Sequence, residues 1–139
     1  MTDTTIRKSI YLNATKEQVW AYLTDPEKLA IWFHKPPQTL TEGSDYEMFG
    51  VDSGDKLMWG EVLAARPHDH LEYSVSIAPM AGASSIVKWT LEGVPGGTRL
   101  SLEHSGLPQG AEAFGLTLAL DKGWDDHIAR MRASLHETA

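Results

Sequence analysis

The sequence predicts an α+β fold in which a curved antiparallel sheet of about six strands packs around one long C-terminal helix. Strand-length segments separated by short turn-forming clusters fill the middle of the chain. Apolar residues then recur at steps of three and four over the last quarter. The length of 139 residues is typical of one domain, so we expect residues 1–139 to form a single unit. A bent sheet on one helix leaves interior space that a ligand could fill.

The first elements are a strand and two short helices. Ile6–Leu12 alternates between apolar and polar side chains, as a half-buried strand does. Thr15 and Gln18 have the spacing of a capping box, which predicts that a helix begins there. That helix should end before Pro26, because the residue preceding a proline is disfavoured in helical geometry. Pro26 can open a second short helix, which the prolines of residues 35–37 close.

Five further strands and a long helix follow. The predicted strands are residues 46–51, 56–65, 70–78, 84–93 and 98–104. The turn clusters between them are short enough for neighbouring strands to be antiparallel, and they occupy residues 52–55, 67–69, 79–82 and 94–97. The helical stripe that follows consists of Leu116, Leu120, Trp124, Ile128, Met131 and Leu135.

Composition excludes several classes of function. The net charge of −7 disfavours a nucleic-acid backbone or an anionic membrane surface as partner. The absence of cysteine excludes disulfides, thiolate nucleophiles and cysteine-based zinc sites, and fits a reducing compartment. No secretory signal is evident at the start, and no apolar run approaches the ~18 residues of a membrane span. We therefore expect a soluble, cytoplasmic protein.

The alternation within each strand predicts which side chains face the interior. The inner set of the last three strands includes Leu71, Tyr73, Val75, Val87, Trp89, Leu91, Leu100, Leu102 and His104. The strand over residues 56–65 is ambiguous, because Leu57, Trp59 and Leu63 compete with Met58, Val62 and Ala64. We favour the set that contains Trp59, which also turns Glu61 inward.

Four of the five tryptophans could line one cavity. Together with Ile128 on the helical stripe, they are Trp32, Trp59, Trp89 and Trp124. Indole rings give flat apolar walls with single N–H donors, which suits an aromatic or polycyclic ligand. A packed core is the alternative, and we weigh the two about equally, because large aromatic residues usually fill cores.

Histidine is the candidate for acid–base chemistry. His104 ends an otherwise apolar inward series, where it could move a proton with Glu61 and Tyr73 as polar companions. A hydrogen-bonded core histidine is the commoner situation. The sequence His68-Asp69-His70 is better explained as a solvated turn, and His127 and His136 lie out of phase on the helix. We predict neither a metal nor a cofactor.

Three large apolar residues follow one another on the second short helix. Ile31, Trp32 and Phe33 cannot all point into the core of so short an element. At least one of them should face the mouth of the cavity or a partner protein.

Several segments in a fixed order resemble a known family. They are residues 14–26 followed by Trp32-Phe33, then Gly60-Glu61-Val62, residues 97–106, and Gly123-Trp124. In these the chain resembles the activator of heat-shock-protein ATPase homologue-like group of the START-like (SRPBCC) superfamily, which shares the birch-pollen-allergen fold. The resemblance implies a helix-grip fold. It carries over only Trp32, His104 and Trp124, as cavity residues.

The resemblance leaves function open among three hypotheses. The first is a small-molecule binder without a cofactor, non-catalytic or weakly catalytic, whose ligand is hydrophobic or aromatic. The second is an enzyme of the polyketide cyclase or aromatase type that uses His104 and Glu61. The third is a protein-interaction module, or a stress-response module of the co-chaperone type, that uses the surface around Trp32. The same surface could also form a homodimer.

Overall fold

The computed structural model describes residues 5–77, 84–107 and 113–137. The predicted turn at residues 79–82 lies outside this part of the chain. Within these residues nine elements follow one another: β1 (Ile6–Leu12), α1 (Lys16–Thr24), α2 (Pro26–Trp32), β2 (Asp45–Phe49), β3 (Lys56–Arg66), β4 (His70–Val75), β5 (Ser85–Val94), β6 (Gly97–Ser105) and α3 (Phe114–Glu137). Among the described residues, no helix is long and apolar enough to cross a bilayer.

The six strands form one antiparallel sheet in the order β1-β6-β5-β4-β3-β2. Strands β2 to β6 are a meander, and β1 pairs with the last strand. The predicted stripe of α3 is buried in the same core as the inner face of the sheet, through Trp124, Ile128, Met131 and Leu135. The predicted α+β helix-grip architecture is confirmed.

The ends of the short helices follow from local hydrogen bonds. The backbone N–H of Gln18 donates to Thr15 Oγ1 (3.1 Å), and that of Thr15 donates to Gln18 Oε1 (2.8 Å). This is the predicted capping box. Asp25 then caps α2 by accepting from the N–H of Glu27 (3.1 Å), and Pro26 is the first residue of α2. These hydrogen bonds fix the turn between α1 and α2, and so the position of the residues that follow α2.

The predicted inner faces of β4, β5 and β6 are confirmed, but the orientation of β3 was predicted wrongly. Met58 and Val62 are 4% and 0% exposed, whereas Leu57 and Leu63 are 38% and 42% exposed. Trp59 is only half-buried, and the Glu61 side chain is exposed. Trp59 and Glu61 therefore face away from the core.

Cross-strand pairing explains the orientation of β3. Met48 and Tyr46 are the buried residues of β2, and they lie opposite Met58 and Gly60. Residues paired across an antiparallel ladder share one face of the sheet, so β3 must turn Met58 inward. Trp59 instead lies under the Lys56 ammonium, 5.1 Å from the ring centroid.

Gly60 lets β4 approach β3 closely, and replacing it tests the register. A Cβ atom at Gly60 would overlap the carbonyl oxygen of Ser74, whereas one at Gly93 in β5 would meet only the Lys16 side chain at 3.7 Å. Gly60→Ala is expected to lower the free energy of unfolding by about 1 to 3 kcal/mol, because the strands must move apart. Gly93→Ala should leave it unchanged or raise it slightly. Urea denaturation measures both, and equal effects would contradict this account of β3.

Candidate functional site

A cavity of about 260 Å³ lies between the end of α2, the first half of α3 and the inner face of the sheet. Apolar side chains supply most of its wall, among them Phe33, Met58, Val75, Leu120 and Trp124. An apolar cavity of about 150 Å³ can hold benzene, and pockets for drug-sized ligands begin at about 300 Å³. This cavity is therefore of the right size for a molecule with one or two aromatic rings.

An aromatic cluster forms one side of the cavity. The ring of Phe33 stacks on those of Trp124 and His34, at centroid distances of 5.4 and 4.4 Å. Trp124 meets Trp89 edge to face at 5.5 Å, and Trp89 meets Trp32 in the same way at 5.9 Å. Phe33 and Trp124 thus form the cavity-facing end of a continuous aromatic cluster that extends through Trp89 and Trp32 into the core.

His104 is held at the floor of this cavity by two hydrogen bonds. The indole N–H of Trp124 donates to His104 Nδ1 (3.0 Å), so the imidazole proton is on Nε2, which lies 2.7 Å from Ser85 Oγ. The Ser85 hydroxyl in turn points to the carbonyl oxygen of Val75 (3.5 Å). Burial lowers the pKa of His104 to about 4. Both nitrogens are occupied and the ring is neutral, which favours the core interpretation over an acid–base role.

The predicted partnership of His104 with Glu61 is wrong. Glu61 lies on the outer face of β3 with Trp59, and the two residues line a separate open groove of about 700 Å³. That groove runs between β2, β3 and the chain segment at residues 36–44. The cyclase hypothesis therefore loses the acid–base pair on which it was based.

The other predicted lining residues lie in the packed core. Trp89 donates its indole N–H to Tyr73 Oη (3.0 Å), and Trp32 donates to the carbonyl oxygen of Tyr22 (2.7 Å). Ile128 is likewise buried. Of the eight side chains proposed from the sequence, His104 and Trp124 border the 260 Å³ cavity.

Two histidines that the sequence analysis did not select also border the cavity. His34 follows α2, His127 lies on α3, and their rings are 5.4 Å apart. His127 Nδ1 lies 2.6 Å from an Arg130 nitrogen and 3.0 Å from the carbonyl oxygen of Trp32. Burial lowers the pKa of His127 to about 4, and burial with the Arg130 charge lowers the pKa of His34. Both rings are therefore neutral near pH 7.

Metal binding has no support in the described part of the chain. No group of three or more histidine, aspartate or glutamate side chains there is arranged to hold an ion. Asp69 pairs with Lys16 (2.6 Å), while His70 lies 3.3 Å from Glu72. In the turn at residues 68–70, Asp69 and His70 thus have separate partners and do not converge on one point.

Comparison with known families gives a match over most of the chain. The profile of the family described as Activator of Hsp90 ATPase homolog 1-like protein matches residues 13–136. The chain belongs to this family. The resemblance read from the sequence is thereby confirmed. A search among proteins of curated function finds no match.

Solved structures agree with membership of the Activator of Hsp90 ATPase homolog 1-like family. MLL2253 from Mesorhizobium loti is 25% identical with a TM-score of 0.86, over 98% of this chain and 99% of that one. DynU16, a protein of the dynemicin biosynthetic locus, is 30% identical with a TM-score of 0.81, over 97% of this chain and 48% of that one. The Aha1 dimer from Colwellia psychrerythraea is 17% identical with a TM-score of 0.77, over 95% and 96% of the two chains. The last likeness concerns the fold alone.

Proposed function

We propose that this protein binds a small aromatic molecule in the cavity beside Phe33, Trp124 and His127. The observation that carries the proposal is an apolar space bordered by stacked aromatic rings and by histidine nitrogens. Burial of apolar surface supplies affinity, at about 25 cal/mol per Å². The imidazoles of His34 and His127 at the wall supply orientation, as polar groups do in most small-molecule sites. No bound cofactor is needed for this activity.

Two features of the wall support binding rather than simple packing. Phe33 is half-buried at the end of α2, and its ring is nearly perpendicular to that of His127, with the centroids 4.8 Å apart. A Cβ atom added at Gly123 would have no atom within 4 Å, although Gly123 lies inside α3 and borders the cavity. Space of this kind beside a helix is open to a ligand. The likeness to a protein of the dynemicin biosynthetic locus is consistent with a small molecule as ligand.

Filling the space at Gly123 is expected to abolish binding without unfolding the protein. Gly123→Leu puts an isobutyl group into the cavity, and leucine is about 0.8 to 1 kcal/mol more favourable than glycine in a helix interior. We expect affinity for 2-naphthol, a two-ring probe, to fall at least tenfold. The measurements are quenching of tryptophan fluorescence and thermal shift, where a ligand at 100 times its Kd adds about 2.7 kcal/mol.

The matched control is Gly115→Leu on the same helix. A Cβ atom at Gly115 also meets nothing within 4 Å, but Gly115 does not border the cavity. Gly115→Leu should bind 2-naphthol like the wild type. Equal loss in the two variants, or no shift of the wild type with one-ring and two-ring aromatic probes, would refute the binding proposal.

A protein-interaction role is the second candidate. Ile31 is 46% exposed, whereas the neighbouring Trp32 is buried, so one member of the apolar triplet does face outward. Ile31→Glu is the corresponding variant. If the wild type forms a complex with a partner or a second copy through this surface, size-exclusion chromatography should show that Ile31→Glu no longer forms it. A wild type that elutes as a monomer, with a profile that Ile31→Glu leaves unchanged, would remove this candidate.

A further inference from the structure

Two imidazoles border the cavity, and one guanidinium contacts one of them. The imidazoles are those of His34 and His127, and Arg130 lies one turn beyond His127 on α3. An Arg130 Nη2 atom is 2.6 Å from His127 Nδ1. Within the described residues, neither nitrogen of His34 nor Nε2 of His127 has a protein hydrogen-bond partner. These nitrogens are thus available to a molecule in the cavity.

Arg130 and the Trp32 carbonyl oxygen make opposite demands on His127 Nδ1, and the shorter contact is the one to Arg130. A guanidinium can only donate, so at 2.6 Å it requires a lone pair on His127 Nδ1. The single proton of the neutral ring is then on Nε2. The alternative tautomer would donate from Nδ1 to the Trp32 carbonyl oxygen, but it would place an N–H against the guanidinium. The tautomer that suits Arg130 sets the Nδ1 lone pair 3.0 Å from that carbonyl oxygen, and we favour it because the contact to the charged group is shorter. The favoured arrangement makes His127 Nε2 a hydrogen-bond donor at the cavity.

Arg130 forms no ion pair with the described residues, although the Asp126 carboxylate is near enough to interact with it electrostatically. Asp126, which lies on the same side of α3, pairs with Lys122 (2.9 Å). No carboxylate in the described part of the chain lies within ion-pair distance of Arg130. The guanidinium that contacts His127 is therefore not held in an ion pair by these residues, on a protein whose net charge is −7. A negative group that bound there would gain a charge-assisted hydrogen bond.

We infer that the ligand is an aromatic carboxylate, with its ring in the cavity and its carboxylate bound at His127, whose other ring nitrogen contacts Arg130. The inference rests on the function proposed above. The carboxylate accepts from His127 Nε2, and Arg130 acts behind the ring as a positioning residue that fixes the tautomer and contributes its charge. An amine would face a guanidinium instead. A neutral alcohol could accept the hydrogen bond but would gain nothing from the charge.

Three probes of one shape test the inference. They are 2-naphthoate, 2-naphthylmethanol and 2-naphthylmethylamine, each titrated by isothermal calorimetry at pH 7. We expect naphthoate to bind at least tenfold more tightly than the alcohol, and the amine to bind most weakly. Arg130→Met should lower the affinity for naphthoate at least tenfold and leave that for the alcohol unchanged. Arg132→Met is the control, because it removes an equal charge from another exposed residue of α3, one that makes no hydrogen bond to His127.

A spectroscopic signature separates positioning from a general structural effect. In ¹⁵N-labelled protein, long-range proton–nitrogen correlation distinguishes the protonated from the unprotonated nitrogen of His127. The wild type should show the proton on Nε2, and Arg130→Met should shift it toward Nδ1, where the Trp32 carbonyl oxygen can accept it. A proton on Nδ1 in the wild type would overturn the inference.

The remaining outcomes are distinct. Equal affinity for the three probes, or a naphthoate preference that survives Arg130→Met, would overturn the inference and leave the binding proposal standing. Absence of binding by all three would overturn both.

Discussion

Lowering the pH from 7 to 5 is expected to reduce the free energy of unfolding by about 2 kcal/mol through His104 alone. The pKa of His104 is about 4 in the folded protein, because burial disfavours the charged ring, against an ordinary value of 6.5. The unfolded chain therefore binds a proton below pH 6.5 that the folded protein does not accept until about pH 4. Stability is full above pH 6.5 and is lost between these values. His127, with a pKa also near 4, acts in the same direction.

Urea denaturation at pH 7 and pH 5 measures this loss. His104→Gln supplies a side chain that does not titrate, so the variant should lose about 2 kcal/mol of the pH dependence whatever its stability at pH 7. NMR titration of the His104 imidazole provides an independent check. A midpoint near 6.5 in the folded protein would contradict the hydrogen-bonded, neutral ring described here.

Trp89→Ala is expected to cost about 3 to 5 kcal/mol of unfolding free energy, the range for removal of a buried tryptophan. The indole is 1% exposed and contacts Trp32 and Trp124 edge to face. Its removal leaves a void in the core and deprives Tyr73 Oη of a hydrogen-bond donor. Thermal and urea denaturation measure the loss. A cost below about 1 kcal/mol would show that the aromatic stack is not packed as described.

The hydrogen bond between Trp89 and Tyr73 can be separated from packing by a double-mutant cycle. Trp89→Phe keeps a ring but leaves Tyr73 Oη without its donor, at a cost of about 1 to 3 kcal/mol. In the double variant with Tyr73→Phe both partners are apolar, so part of that cost should be recovered. Tyr73→Phe should not change the affinity for aromatic probes, because Tyr73 lies in the core and does not border the cavity. A large loss of affinity would place the ligand deeper than we propose.

Most of the fold could be predicted because its determinants are local. The capping box at Thr15, the proline that opens α2 and the long apolar stripe of α3 each depend on residues within a few positions of one another. Strand β3 could not be oriented in this way, because both of its faces carry large apolar residues. Its orientation is decided by its pairing with β2, which involves a neighbouring strand rather than its own sequence.

The site was predicted less well for a related reason. His104 and Trp124 belong to strongly periodic elements, and both were placed at the cavity from the sequence. His34 lies outside a regular element, so its neighbourhood depends on how α2 packs against α3. His127 could have been found, since it lies three residues after Trp124 and so on a nearby side of the helix. The tautomer that suits Arg130 depends on atomic distances that no sequence pattern reports.

The pairing of β1 with β6 has a consequence for how the chain folds. Strands β2 to β6 join sequential neighbours, but the β1 ladder brings Ile6 opposite His104 and Leu12 opposite Thr98. Closing so long a loop costs entropy before any contact repays it, so we expect the hairpins to form early and β1 to add late. Until β1 arrives, the hydrogen-bonding edge of β6 is open to strands of other chains, and aggregation during refolding should increase with protein concentration.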